Sequence, residues 1–377
     1  MSEFNWENIY EKFNFIKWQN SKEIQKFMVD NINSDNGWFL NRLGGSDFNA
    51  VFMYLKFYKN INNTNYIMDF KDSNGAAVDA TCFSNFDYEM QQADPSNGDT
   101  LNLARIYNLV AEFNGYFDKT TNNEIRLQNF LKYLDKMYNC YINSSAYTNA
   151  GRVTETSFPD PSKNFKGVPL LNNFIKSICR DKSLIHYYYI EGVHSTTGGD
   201  FMKDFKIFAE NKKVLIISPF SESIKYQTKP DRINNLINGY TFPNCTFLTY
   251  DTPITYNSYK DNSSDDILNQ VTTNNWLEQC EKMEEEISKI DFDVALLSCA
   301  SYACCLGSFI STKMNKKAIY IGGVLNVIFN IYGKRYTNEY YNNINNLSYR
   351  IKSLETKKYE NATGGKLKKN EAFNAYF

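Results

Sequence analysis

Apolar residues in the first third of the chain recur every three or four positions. That spacing predicts helices over Glu23 to Asn33, Ser46 to Tyr58, Leu101 to Tyr116 and Glu124 to Tyr141. One segment breaks the rule. Trp38-Phe39-Leu40 reads as a strand that runs through Asn41-Arg42-Leu43 into Gly44-Gly45-Ser46-Asp47, where Ser46 is suited to cap the next helix. Between Ser144 and Gly167 the chain is rich in Ser, Thr, Asn, Pro and Gly and keeps neither period, so it reads as a linker. The expected organisation is a helix-rich N-terminal lobe over residues 1–166 and a second lobe over 167–377.

Beyond the linker, strands and helices alternate. His186 to Ile190, Lys213 to Ser218, Cys245 to Tyr250, Asp293 to Ser298 and Lys317 to Ile321 read as strands, the last of them the final strand of the chain. Helices are predicted over Phe201 to Glu210, from Ser221, through Asp231 to Asn238, over Asp265 to Lys289 and over Tyr302 to Met314. Strands that are nearly continuous in apolar residues and separated by helices imply a parallel sheet covered on both faces. The fold class is therefore α/β, with a doubly wound, Rossmann-like sheet. In such sheets ligands bind beyond the carboxyl ends of the strands. There this sequence gathers small and polar residues: Ser218, Ser221 and Glu222, then Asp251 and Thr252, then Ser298 and Ser301, then Gly322 and Gly323.

Composition narrows the function classes. Forty-one basic residues against 42 acidic ones leave a net charge of -1, so no global field draws in nucleic acid or an anionic membrane. Lys366, Lys368 and Lys369 form only a short basic group that reads as a solvated tail. No run reaches the length of a membrane span and the N-terminus lacks the apolar core of a secretion signal, so a cytoplasmic location is expected. Eight cysteines without paired spacing read as free thiols of a reducing compartment. Cys299, Cys304 and Cys305 lie close in sequence, but with only two histidines in the chain they read as small core residues rather than zinc ligands. Asparagine is frequent, roughly 13% of residues, so glycosylation sequons arise by chance and carry no claim.

Among chemical motifs, neither the Walker loop nor Gly-x-Gly-x-x-Gly is present, which argues against kinase and ordinary dehydrogenase chemistry. His186 and His194 have no Gly-x-Ser-x-Gly elbow to serve. Gly44-Gly45-Ser46-Asp47 at a helix start can take a phosphate, because the glycines let an anion approach free backbone N–H groups. Arg42 is placed to grip that phosphate with two N–H groups, and Asp47 to meet a divalent cation or a sugar hydroxyl.

Arg42-Leu43-Gly44-Gly45-Ser46-Asp47-Phe48 resembles the Arg-Phe-Gly-Asp-Gly-Glu type motif of the GT-D fold glycosyltransferases, whose relatives occur in large DNA viruses and bacterial polysaccharide clusters. Val214 to Gln227, Asp293 to Gly307 and Ala318 to Gly323, the last followed by Gly333-Lys334-Arg335-Tyr336, are similar to later blocks of that family. The resemblance implies transfer of a sugar from a nucleoside-diphosphate donor, a UDP-sugar first among them, to a glycan or protein acceptor. It implies donor binding by Arg42, Gly44, Gly45, Ser46, Ser218, Ser221, Ser298, Ser301, Gly322, Gly323 and Arg335, with Asp47 and Glu222 as catalytic carboxylates. It also implies Mn²⁺ or Mg²⁺ at Asp47, although Gly45 stands where the family has its first carboxylate. For a viral chain the location would be the host cytoplasm. A homodimer is among the assemblies left open. The alternative reading is a structural virion or scaffold protein that has kept the fold and lost the acidic motif.

Overall fold

The structure, a computed structural model, describes residues 14–16, 21–43, 51, 107, 110–111, 113–149, 182–185, 188–191, 200–256, 268–333 and 339–357. In chain order the elements are β1 (Asn14–Ile16), α1 (Ser21–Ile32), β2 (Trp38–Leu43), α2 (Asn123–Ile142), β3 (Ala146–Asn149), β4 (Ser183–Ile185), α3 (Tyr188–Glu191), α4 (Asp200–Phe208), β5 (Lys213–Ser218), α5 (Ser221–Gln227), β6 (Thr246–Asp251), α6 (Trp276–Ser288), β7 (Val294–Leu297), α7 (Tyr302–Thr312), β8 (Lys317–Tyr320), α8 (Val324–Ile328), β9 (Ile331–Tyr332), α9 (Glu339–Ile344) and β10 (Ile351–Lys352).

Eight strands form one sheet in the order β1-β4-β3-β2-β8-β7-β5-β6. Every pairing in it is parallel. Parallel strands need helical crossovers, and these cover both faces, giving an α/β, Rossmann-like architecture. The strands sort their side chains by parity. Leu215, Ile217, Ala295 and Leu297 face α2, α6 and α7, whereas Val214, Ile216, Val294 and Leu296 face α1, α4, α5 and α8. The sheet does not stop at residue 166. Strands β1, β2 and β3 come from before that point and pair with strands from after it: β1 and β3 with β4, and β2 with β8, where Phe39 lies opposite Ala318.

Local signals explain the best-formed helices. The Asn122 side chain accepts the Ile125 N–H at 3.1 Å to start α2, and Leu127, Phe130, Leu134, Met137 and Tyr141 then bury one stripe. Helix α6 begins at Trp276 after a non-helical stretch over 269–275, and the start expected at Asp265 lies outside the described residues. Asn275 caps it by accepting the Glu278 N–H at 3.0 Å, while the Glu278 carboxylate returns to the Asn274 N–H at 2.8 Å. This reciprocal cap fixes the first turn and overrides the longer apolar period upstream.

Other expectations are corrected. The strand expected over His186 to Ile190 lies at Ser183–Ile185, and a short helix follows from Tyr188. The supposed linker contains β3, which pairs with both β2 and β4. A single 3₁₀ turn, Ile233–Asn235, replaces the helix expected from Asp231. Lys317–Tyr320 is not the last strand, because β9 and β10 pair with each other in a separate parallel ribbon. That ribbon's end is pinned to α5, where buried Glu355 accepts the Ser223 N–H at 2.9 Å and the Ser353 hydroxyl at 2.8 Å. The helices expected over Ser46 to Tyr58 and Leu101 to Tyr116 fall largely outside the described residues, as do His186, His194 and the terminal lysines. Among the described residues no helix is long and apolar enough to cross a membrane.

Candidate functional site

A cleft partly open to solvent lies beyond the carboxyl ends of β2, β5, β7 and β8. Its place follows from topology. The chain leaves β5 toward β6 on one side and returns to β7 on the other, so the loops after β5 and β7 diverge and leave a crevice. Arg42 enters from β2, Pro219 and Phe220 from β5, Ser298 and Ala300 from β7, and Tyr320, Gly322 and Gly323 from β8. Phe113, Asn114 and Tyr256 complete the wall.

The floor is made by the turn after β8. Gly322 sits at φ +63°, and a Cβ there would lie 2.5 Å from Nη1 of Arg42. Glycine is favoured here by its backbone angle, and the Arg42 guanidinium lies close against it. The Gly322 N–H donates to the Leu297 carbonyl at 3.1 Å, tying this turn to β7. Arg42 is itself fixed from behind. Its backbone N–H donates to Oδ1 of buried Asn41 at 2.7 Å, and the Asn41 amide nitrogen donates to the Ser144 hydroxyl at 2.9 Å. A cation held on a preformed surface in a concave site suits a phosphate or carboxylate.

After β7 the chain bends through Ala300 at φ +52°, a left-handed conformation uncommon for a residue with a Cβ. The Tyr320 hydroxyl donates to the Ala300 carbonyl at 3.2 Å and holds the bend in place. The opposite wall is secured by Ser301. Its hydroxyl donates to the Asn114 carbonyl at 2.7 Å and accepts the indole N–H of Trp276 at 2.9 Å. Trp276 stacks on Tyr302 with ring centroids 5.0 Å apart. Thr255 donates to the Gly115 carbonyl at 2.5 Å, so the segments that present Phe113, Asn114 and Tyr256 are clamped together. Burial pushes the Tyr302 hydroxyl well above the ordinary tyrosine range, and burial does the same to the Cys299 thiol. Both stay neutral and serve the scaffold.

The residues singled out in the sequence divide into three groups. Arg42, Ser298, Gly322 and Gly323 line the cleft. Ser218, Ser221 and Ser301 are buried behind it: Ser218 accepts the Phe220 N–H at 3.2 Å, Ser221 donates to Asp251 at 3.0 Å, and Ser301 makes the clamp above. Gly44, Gly45, Ser46, Asp47 and Arg335 lie outside the described residues. Glu222 does not line the cleft. Its side chain is 63% exposed on α5 and pairs with Lys225 at 2.7 Å. Asn326, in the first turn of α8, is fully buried with both amide atoms unpartnered.

Phe113, Asn114, Phe220, Tyr256 and Tyr320 were not among the residues expected at the site. Phe113, 39% exposed, and Tyr256 offer planar faces beside the cation. The described lining does not fit a divalent ion, which takes carboxylate and carbonyl oxygens, because it presents a guanidinium and no carboxylate. Among the described residues no three His, Cys, Asp or Glu side chains are grouped to hold a metal. Compared with protein-family models, with curated proteins and with solved structures, the chain finds no match in any of the three.

Proposed function

We propose that the cleft binds a nucleoside diphosphate sugar and that the chain is a glycosyltransferase. The observation that carries the reading is Arg42, seated on Gly322 at the carboxyl ends of the central strands with aromatic faces close by. In glycosyl transfer the bond from the anomeric carbon to the diphosphate breaks, and negative charge collects on the leaving oxygens. A guanidinium already in position stabilises that charge without reorganising. Phe113 and Tyr256 give a nucleobase or sugar ring flat apolar surfaces, and Asn114 and Ser298 give it polar partners. The acceptor hydroxyl must lose a proton as its oxygen bonds to the anomeric carbon. Asp47, five residues beyond Arg42, is the carboxylate proposed to take it. Glu222 is left out of that role by its exposure and its pairing with Lys225. No step is routed through a metal.

One observation favours a second reading, in which the fold binds a ligand or partner without turnover: no carboxylate lines the described part of the cleft. Calorimetry with UDP-, GDP- and TDP-sugars, with and without Mg²⁺ or Mn²⁺, separates the two. One donor should bind, and Arg42→Ala should weaken it by roughly 10- to 100-fold, the worth of a charge-assisted hydrogen-bonded pair. Slow hydrolysis or transfer that Asp47→Ala removes supports the transferase. Binding without turnover supports the second reading, and a folded protein that binds none of the donors rejects the transferase.

A further inference from the structure

The face of the sheet behind the cleft holds five buried cysteines, Cys140, Cys280, Cys299, Cys304 and Cys305, and two of them are nearly in contact. Cys140, in the last turn of α2, has its sulfur 3.4 Å from that of Cys305, in the first turns of α7. A disulfide requires about 2.05 Å, so the helices need to close by little more than 1 Å. We propose that Cys140 and Cys305 are a peroxide-reactive thiol pair that forms a reversible disulfide joining α2 to α7.

The 3.4 Å approach of the two sulfurs selects this pair. The Cys304 sulfur accepts the Asn41 amide at 3.2 Å and also hydrogen-bonds Cys140, while the Cys280 thiol donates to Glu284 at 3.5 Å and also hydrogen-bonds Cys305. Cys305 lies 3.7 Å from the Met137 sulfur as well. The roles within the pair differ as well. Hydrogen bonding with Cys304, then with Cys305, and the charge of Lys136 one turn earlier hold the Cys140 thiol well below the usual cysteine range. Burial pushes the Cys305 thiol up. Cys140 is thus the nucleophile, since the thiolate is the reactive form.

The chemistry balances with hydrogen peroxide as the oxidant. The Cys140 thiolate attacks one peroxide oxygen, the O–O bond breaks and, with a proton, water leaves, so that Cys140 becomes a sulfenic acid. The Cys305 sulfur attacks that sulfur, the S–O bond breaks, and the Cys305 proton departs with the hydroxyl as a second water. Two thiols have lost two protons and two electrons, and the peroxide has gained them. A dithiol reductant reverses the bond by exchange.

The test uses the full, folded, reduced chain and one equivalent of hydrogen peroxide, followed by alkylation in denaturant and peptide mapping. The expected product joins the Cys140 and Cys305 peptides, is lighter by two hydrogens and is reversed by dithiothreitol. Because the bridge closes a long loop, the melting temperature without reductant should rise by roughly 5–10 °C. In Cys305→Ser, or in Cys305→Ala where the hydroxyl is not tolerated, the cross-link should vanish and dimedone should trap Cys140 as its sulfenic acid. The proposal is overturned if both thiols remain alkylatable after peroxide, if the bridge forms to Cys280 or Cys304 instead, or if Cys140 passes to sulfinic acid with Cys305 present.

Discussion

The two faces of the sheet are built to different rules. On the face covered by α1, α4, α5 and α8, Phe201, Phe205, Phe208, Phe242 and Phe329 pack with Ile, Leu and Val, and no cysteine among the described residues is fully buried. On the face covered by α2, α6 and α7, the core is made of Tyr107, Tyr116, Tyr133, Tyr141, Tyr147, Trp276 and Tyr302 with five cysteines. The first face is held mainly by apolar contact, with a few buried polar anchors such as the Tyr189 hydroxyl donating to Asp204 at 2.9 Å and the Gln227 amide donating to the Asn330 carbonyl at 3.2 Å. The second carries hydroxyls, an indole N–H and thiols into the interior, and the segments that wall the cleft hang from it through Ser301, Thr255 and Tyr320. A polar core is harder to satisfy, but its hydrogen bonds fix positions that apolar packing leaves free to slide. The difference teaches that one side of this molecule supplies stability and the other supplies placement.

Three measurements can break that comparison. The largest effect belongs to the apolar face. Phe205→Ala empties a site shared by Phe201, Phe208 and Phe247 and should cost about 3–5 kcal/mol in urea unfolding, with little change at the cleft. A loss below about 1 kcal/mol would show that this face is not where stability resides.

The next effect belongs to the polar face and is read by pH. Burial holds the Cys299 and Cys305 thiols and the Tyr302 and Tyr116 hydroxyls well above their ordinary values. The unfolded chain releases such protons near ~8.5 for cysteine and ~10 for tyrosine, while the folded chain keeps them. Their contribution is therefore complete below about pH 8 and declines as pH rises through the unfolded values toward the folded ones. Cys140, held low, works the other way and adds stability as pH rises toward ~8.5, so melting temperature should not fall until about that pH and should decline steadily from there to pH 10.5. A flat profile to that pH would mean the buried thiols and phenols ionise as freely folded as unfolded.

The smallest effect is the sharpest. The Tyr116 hydroxyl is buried with no partner, although its ring packs edge-on against Tyr107 and Phe130. Tyr116→Phe keeps the ring and removes the unpaired group, so stability should be unchanged or rise by up to about 1 kcal/mol. A loss greater than that would reveal a partner for the hydroxyl and a polar face more completely satisfied than its hydrogen bonds indicate.

Much of this frame was legible in the sequence, and the exceptions have physical causes. Strands such as Lys213–Ser218 and Val294–Leu297 are buried on both faces and read as unbroken apolar runs. Ala146, Tyr147 and Thr148 are as buried, but Ala-Tyr-Thr-Asn within a polar stretch gives no such run. Only its pairing with two neighbours makes it a strand, a long-range effect that local propensity does not carry. For the cleft, Arg42, Ser298, Gly322 and Gly323 were visible because strand ends attract ligands in a parallel sheet. Phe113 and Tyr256 were not, since aromatics make up 16% of the chain and neither lies at a strand end. Ser301 and Ser221 show the opposite error: position at a strand end does not distinguish a residue facing a ligand from one that braces the turn.

The order of the strands also governs how the molecule is made. Strand β8 is the last to be synthesised of the eight, yet it lies between β2 and β7, and Trp38 finds its partner only in Lys317. Until that late strand leaves the ribosome, β2 and its neighbours have an open edge and the crevice has no floor. Such distant pairing makes for slow folding, with an exposed edge that invites aggregation meanwhile. Truncation before Lys317 would therefore not yield a smaller working protein; it would leave two half-sheets bridged only by the packing of α6 and α7 on α2 and β2, with no strand between them.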